Sequence, residues 1–471
     1  MDRCSNARSR CGVNLRFDLP VRSSRASADA MVARLLHSDG SDWLRPTVST
    51  LALLLTGLCV LLGISPQTGD SRSAPLLESA PPLEVGALFR NATVEHLPTS
   101  SLTGLSMDAA VADVDGDGAL DIVIANEFRP NILLRGDGTG HFEDASDRLP
   151  AADRDSEDVG IADFDGDGDL DIVVVSEDDA VNEYYLNDGT GRFTDNSDQW
   201  PVEGTSNAVV VVDLNNDGRP DLLVGNNGQN RALVNDGAGG FVDETEQRLP
   251  AIDDVTQDIE FGDVDGDGDL DLVVGNEDDN RLLLNDGRGR FVEASPGAIP
   301  LLDVPEETRE VDFGDVDGDG DLDLLFANVR LFVPDARRQN RLLLNDGSGR
   351  FQDATSGRLP MGDQSSLDAD LVDLDGDDDL DIVTSNVLFT GSEIRSAPYG
   401  IMLNDGQGRF SDATRAALPE MITGRGLDAE AADFDGDGRI DLYLCSRGTL
   451  DRLLLSVAPP NPTRSDSARS D

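Results

Sequence analysis

Seven times the chain sets four oxygen-bearing side chains within nine residues, in the pattern Asp-x-[Asp/Asn]-x-Asp-x-x-x-Asp. The first three copies are Asp113, Asp115, Asp117, Asp121; Asp163, Asp165, Asp167, Asp171; and Asp213, Asn215, Asp217, Asp221. The last four are Asp263, Asp265, Asp267, Asp271; Asp315, Asp317, Asp319, Asp323; Asp373, Asp375, Asp377, Asp381; and Asp433, Asp435, Asp437, Asp441. Like charges crowded this closely repel unless a cation sits among them. Aspartates at loop positions one, three and five can converge on one point, and a backbone carbonyl at position seven can join them. The ninth-position aspartate completes an all-oxygen shell. Glycine at position six (Gly118, Gly168, Gly218, Gly268, Gly320, Gly438) permits the sharp turn, with Asp378 in its place in the sixth copy. Many oxygens, no nitrogen or sulfur and a flexible loop suit Ca²⁺ better than Mg²⁺, so up to seven Ca²⁺ are expected. An EF-hand shares the opening pattern but needs a glutamate at position twelve and flanking helices. That position is Ile124 in the first copy and Val174 in the second, both within strand patterns.

The elements that must carry these loops are strands. The first four copies are spaced by 50 residues, and the later gaps grow to 52, 58 and 60. A repeat of that length between apolar runs is how a propeller blade reads in sequence. In the fourth repeat Asp258-Ile-Glu-Phe-Gly-Asp263 leads in as a strand, and Val264 to Gly268 is the acidic loop. Leu270 to Gly275 is a mostly apolar run, the mark of a strand buried on both faces. Arg281 to Asn285 is a third strand, Asp286-Gly-Arg-Gly289 a hairpin, and Arg290 to Ser295 the fourth strand. The fourth strand repeats a box, Phe-x-[Asp/Asn/Glu]-x-[Ser/Thr], at Phe89, Phe142, Phe193, Phe241, Phe291, Phe351 and Phe410. The first box precedes the first loop and none follows the last. The strand around Phe89 should therefore complete the last blade and leave no open sheet edge. The expected fold is all-β: a seven-bladed β-propeller of four-stranded blades over residues 85–457.

This repeat resembles the FG-GAP/VCBS family, whose blades build the N-terminal propeller of integrin α-subunits and many bacterial envelope proteins. The literal Phe-Gly-Asp stands at Phe261-Gly262-Asp263 and Phe313-Gly314-Asp315, and the Asp-x-Asp-Gly-Asp-Gly loop in most copies. Gly275-Asn276 and Ala327-Asn328 stand where the family's Gly-Ala-Pro half would be, nearer the bacterial form. The resemblance implies a calcium-bound propeller used for binding, without naming a ligand.

The 471 residues carry 92 acids against 37 bases, a net charge of -55, and every base is an arginine. Filling seven divalent sites would add 14 positive charges, leaving -41, so metal alone does not account for the acidity. Nucleic acid and anionic lipid are poor partners for such a surface. Cys4, Cys11, Cys59 and Cys445 form no disulfide framework. Only His37, His96 and His141 occur, which weighs against imidazole catalysis and transition-metal sites.

Residues 1–45 form an arginine-rich leader, expected on the cytoplasmic side, with Met31 an alternative start. Residues 46–65 hold an apolar helix that reads either as an uncleaved anchor or as a cleaved signal, and both export the repeats. Residues 66–84 read as a linker and 458–471 as a disordered tail. An uncleaved anchor would make the membrane a partner through this segment.

Six acids stand five residues before their loops: Asp108, Asp158, Asp258, Glu310, Asp368 and Asp428, with Ala208 the exception. The expectation is that each caps backbone amides of a neighbour, with a cation-binding ring as the alternative. Arg135-Gly136-Asp137 spells an adhesion tripeptide but falls in the ordinary hairpin slot, and Asn91-Ala-Thr93 is a sequon made of box positions. The extra length of the fifth and sixth repeats falls at Val329 to Gln339 and Val387 to Tyr399. These insertions should meet on the face opposite the loops. There Arg330, Arg337, Arg338, Arg395 and Tyr399, with Phe332 and Phe389, are the candidate ligand-binding residues.

The function expected is an extracytoplasmic calcium-binding module that recognises a protein or glycan without catalysis. A polysaccharide lyase or carboxylate-only glycosidase on the same scaffold is the alternative, and a structural envelope spacer a third reading.

Overall fold

The computed structural model of the protein describes residues 87–98, 104–177, 181–362, 365–390, 393–418 and 420–457. The leader, the apolar segment at 46–65, the linker and the tail after residue 457 lie outside the described residues. Among the described residues no helix is long and apolar enough to cross a membrane.

The fold is all-β. Its unit is a four-stranded antiparallel meander: Ser106–Ala112, Asp121–Arg129, Ile132–Gly136 and Phe142–Asp144, followed by a short helical turn at Ser146–Arg148. The meander recurs with first strands at Arg154–Ala162, Ser206–Val212, Asp254–Gly262, Thr308–Gly314, Ser365–Val372 and Gly426–Ala432. The last of these runs Gly426–Ala432, Asp441–Ser446, Arg452–Ser456, and its fourth strand is Phe89–Asn91 from the other end of the chain. Phe89 pairs with Ser456 and Asn91 with Leu454, and the Ala92 amide donates to Leu453 O at 2.9 Å. The expected closure through Phe89 is present as a strand pairing.

Patterning explains which faces are hidden. The second strand is apolar at consecutive positions, Ile122, Val123, Ile124 and Ala125, and both of its faces are buried. Each face packs on a different neighbour. Val123 and Leu133 share a core layer with Ile172, Val174 and Tyr185 of the next sheet. Ile122 and Leu134 share one with Tyr443, Leu453 and Leu455 of the last sheet. The core is thus a series of layers between neighbouring sheets, and Phe89 fills one of them with Tyr399 and Leu454.

Candidate metal loops and ligand face

Each acidic loop joins the first and second strands of its meander. The first-position aspartate binds the amide of position six in every copy, from Gly118 N to Asp113 Oδ2 at 2.9 Å through Asp378 N to Asp373 Oδ2 at 3.1 Å. Position six has positive φ throughout, +92° at Gly118 and +70° at Asp378, where a side chain is held in the left-handed region. The ninth-position aspartate is buried and spans two amides. Asp121 Oδ2 accepts from Val114 N at 3.1 Å and its Oδ1 from Gly136 N at 2.9 Å, and Asp271 and Asp441 repeat the arrangement. Positions one, three and nine converge: in the first, second and fourth loops one carboxylate oxygen from each lies within 4.8 Å of the others. The fifth-position aspartates are exposed and accept from the amide two residues on, as Asp117 does from Ala119 N at 2.9 Å.

Electrostatics fit a cation at these points. Burial, reinforced by neighbouring carboxylates and opposed by amide hydrogen bonds, pushes Asp121, Asp171, Asp271 and Asp441 up to about 6. Asp323 rises to about 7 and Asp381 to about 8 for the same reasons. Asp115 Oδ1 and Asp375 Oδ1 are buried at position three with no hydrogen-bond partner, oxygens that a hard cation would satisfy. Ionised carboxylates keep lone pairs beyond those given to amides, so the ninth position can still ligate.

The loops are not equivalent. Arg135 bonds Asp115 and, at 3.0 Å, Asp117. Arg219 and Arg439, at position seven of their own loops, bond Asp217 and Asp437. The Arg135-Gly-Asp137 tripeptide is therefore tied into its own sheet: the Arg135 side chain covers the first loop and the Gly136 amide binds Asp121.

Four of the six acids before the loops cap an amide of the next sheet. Asp108 Oδ2 accepts from Val159 N at 3.0 Å, Asp158 Oδ2 from Val209 N at 2.7 Å, and Asp258 Oδ2 from Val311 N at 2.9 Å. Asp428 Oδ2 accepts from Ala109 N at 3.1 Å, which carries the series from the last sheet to the first. Ala208 has no carboxylate to make the link, and between the fifth and sixth meanders Asp312, two residues on from Glu310, accepts from Leu371 N at 2.7 Å. Sequence reasoning missed the asparagine that closes five of the seven third strands. Asn187 Nδ2 donates to Val114 O, Asn235 to Phe164 O, Asn345 to Val264 O and Asn404 to Val316 O, fastening these four hairpins to the acidic loop of the preceding sheet. Its recurrence in the Asn-Asp-Gly hairpins was the available signal.

The insertions depart from expectation. The one in the fifth repeat is held by Glu307, whose carboxylate accepts from the amides of Leu331, Phe332 and Val333 at 2.7 to 3.1 Å, while Arg309 lies over the Phe332 ring. Arg330 and Phe332 are exposed, and Arg337 faces Asp353 at 3.9 Å. The one in the sixth repeat folds into a hairpin, Asp381–Thr390 against Glu393–Pro398, which pairs onward with Thr423–Gly424. The two insertions thus dock on different neighbours, and Arg395 is exposed beside Glu393 at 2.9 Å. Arg337 and Arg395 each stand beside a carboxylate of their own repeat. Tyr399 is not a surface residue. It is buried, its hydroxyl donates to Cys445 O at 3.0 Å, and it packs in the layer containing Phe89. It aligns with Asn340, the buried residue before the third strand of the preceding sheet, which could have warned that its place is interior. Arg338 instead lines a cleft between the fifth and sixth sheets with Gln339, Met361, Gly362, Met402 and Asp412.

These repeats match the model of the FG-GAP-like repeat family at residues 113–174, 163–224, 213–274, 263–326, 331–384 and 388–444. The chain belongs to the FG-GAP-like repeat family. By sequence, no curated protein matches this FG-GAP-like chain. Among solved structures it is similar to BBS1N in complex with ARL6DN, at 11% identity over 79% of this chain and 98% of that one, with a TM-score of 0.50. It is also similar to an Agrocybe aegerita lectin that recognises non-reducing terminal N-acetylglucosamine, at 17% identity over 74% and 87% of the two chains, TM-score 0.43. A third is the V. cholerae biofilm matrix protein Bap1, at 12% identity over 79% and 84%, TM-score 0.40. At these identities the likeness concerns the fold.

Proposed function

We propose that the FG-GAP-like repeats form a closed seven-bladed propeller that holds Ca²⁺ in its acidic loops. Displayed outside the cytoplasm, it serves as a non-enzymatic module that binds a protein or glycan. The blade count is supported by the capping bond from Asp428 to Ala109 and by the pairing of Phe89–Asn91 with Arg452–Ser456. The metal reading is carried by one observation: carboxylates at positions one, three and nine are brought within 4.8 Å by backbone hydrogen bonds that fix the loop. A bound Ca²⁺ supplies the positive charge that these crowded carboxylates lack. The residues themselves do the positioning: position nine anchors loop to hairpin, position one shapes the turn, and position five can leave its amide to complete the shell. The second and fourth loops, with Asp169 and Asp269 at position seven, should fill ahead of the first, third and seventh, where arginines compete.

In this reading the ligand binds on the face opposite the loops, which the exposed Arg330 and Phe332 and the cleft beside Arg338 support. Planar guanidinium groups there suit carboxylate-bearing glycans or acidic protein surfaces. Export rests on the apolar segment at 46–65. A glycan and protein array probed in Ca²⁺, with Arg330→Ala/Arg338→Ala alongside, tests the reading. Retention is expected for the parent and loss for the variant, at equal metal content. Turnover of any arrayed glycan overturns the non-enzymatic reading, and retention by the variant overturns the ligand face.

A further inference from the structure

All the first strands carry the same irregularity. The register of each slips just before the capping acid: between Ser106 and Asp108, Ser156 and Asp158, Ser206 and Ala208, Thr256 and Asp258, Thr308 and Glu310, Ser366 and Asp368, and Gly426 and Ala429. A bulge re-aims the extra residue out of the alternating pattern. Here the extra residues are buried, and two of them are charged: Glu157 and Arg309.

The two charged positions are treated differently. Arg309 is surrounded by acceptors: its guanidinium bonds Gln257, Glu277 at 3.2 Å and Glu307 at 2.7 Å. Glu157 is fully buried, and neither carboxylate oxygen has a hydrogen-bond partner. It faces Asp155 and Glu177, and one oxygen from each of the three lies within 4.8 Å of the others. Glu127 and Arg447 stand beyond, bonded to each other at 2.6 Å. A buried carboxylate with neither oxygen hydrogen-bonded must either take up a proton or meet a cation, and the neighbouring acids can supply further ligands to one.

We propose that Asp155, Glu157 and Glu177 form a second kind of divalent-cation site, for an ion of calcium size, at the mouth opposite the acidic loops. Asp155 opens the first strand of its sheet and Glu177 follows the end of the second, whereas the acidic loop joins the other ends of the same two strands. The site therefore shares no residue with the loops and does not rest on their metal. The donors are all carboxylate oxygens, the set that selects hard cations. Oxygens bound at 2.3–2.6 Å to one Ca²⁺ lie at most about 5 Å apart, which accommodates the spread of these three. Two of the donors are buried and Glu177 is half-buried, which leaves the site its contact with solvent at Glu177. The hydrogen bond from Glu177 N to Asp155 O, 3.1 Å, fixes the two backbones that bring the donors together.

The test is crystallographic, with a solution arm. Crystals of the parent protein and of Glu157→Gln are grown in CaCl₂, and calcium is located by anomalous scattering. The parent should show a peak bonded to Asp155, Glu157 and Glu177, and the variant should lose that peak while retaining those in the loops. In solution, Glu157→Gln should melt above the parent in chelator, because an uncompensated buried charge is gone, and should gain less than the parent on adding CaCl₂. Saturating calcium that leaves the three carboxylates without a peak, with Glu157 sharing a proton with a neighbour, would overturn the proposal. Equal melting gains for parent and variant would do the same.

Discussion

Removing the metal should reverse the direction in which acid changes stability. In the metal-free protein the ninth-position aspartates Asp121, Asp171, Asp271 and Asp441 titrate near 6, against an ordinary value of 3.8, chiefly because they are buried and next because other carboxylates crowd them. A carboxyl group with a raised folded pKa binds its proton more tightly folded than unfolded. Its contribution is therefore lost as pH rises through the folded pKa and recovered as pH falls toward the unfolded value. From about pH 8 to about pH 5, one such group returns roughly 1 kcal/mol, and Asp323 and Asp381, with higher values, return more. Asp108 and Asp158 act in the same direction, since burial raises both. Asp353, where burial is outweighed by bonds from Thr355 and Arg341 that hold it below its ordinary value, stays ionised over this range and adds no slope. The calcium-loaded protein has the opposite dependence, because protonation of the same carboxylates releases the ion whose binding stabilises the fold. Urea midpoints across this pH range, with calcium and with a chelator verified by metal analysis, should give slopes of opposite sign. A metal-free protein that weakens steadily from pH 8 to pH 5 would refute the reasoning, as would identical slopes in the two conditions.

Two further outcomes follow from packing. Phe89→Ala, at a fully buried position in the closing strand, should cost about 3–5 kcal/mol, as much as Phe291→Ala within the fourth sheet; denaturant midpoints showing a loss under about 1 kcal/mol would mean that the first strand is only loosely docked. Gly289→Ala would set a Cβ 1.7 Å from Leu214 O at φ +67°, so a loss of at least about 3 kcal/mol is expected. Gly297→Ala, also at positive φ but in open space, should cost about 1 kcal/mol in the same melting series.

What was legible in the sequence was what a repeat must restate. The loop aspartates, the phenylalanine box and the capping acids recur because each needs one side-chain type at one backbone geometry, and in the structure Asp113 accepts the turn amide, Phe142 is buried and Asp108 caps the next sheet. The bulge positions were illegible, since a bulge is a displacement of register and imposes no residue type: methionine stands at 107, glutamate at 157 and arginine at 309. Tyr399 was misplaced because an insertion hides where the chain re-enters the core, and only pairing to Thr423–Gly424 settles it. The partners of the arginines were equally hidden. Arg341 is as buried as any leucine beside it because Glu306 and Asp353 meet it there, and the carboxylates that make this possible are distant in sequence.

The pairing of Phe89 with the last strand has a consequence for how the protein comes into being. Thr93 and Leu453 are hydrogen-bonded across 360 residues, whereas the two strands beside an acidic loop meet across about 10 to 20. Closing the longer loop costs only roughly 2–3 kcal/mol more in chain entropy, so equilibrium tolerates it. Time is the harder constraint. Interior sheets can assemble as they emerge from the ribosome, while the segment made first must wait, unpaired, for nearly the whole of translation. Any chain that stops short of residue 452 leaves that segment without its mate, and the half-built sheet offers its edge to another molecule. Joining the two ends and opening the chain at an exposed hairpin would remove the wait, and such a permuted protein should reach its native state with less loss to aggregation.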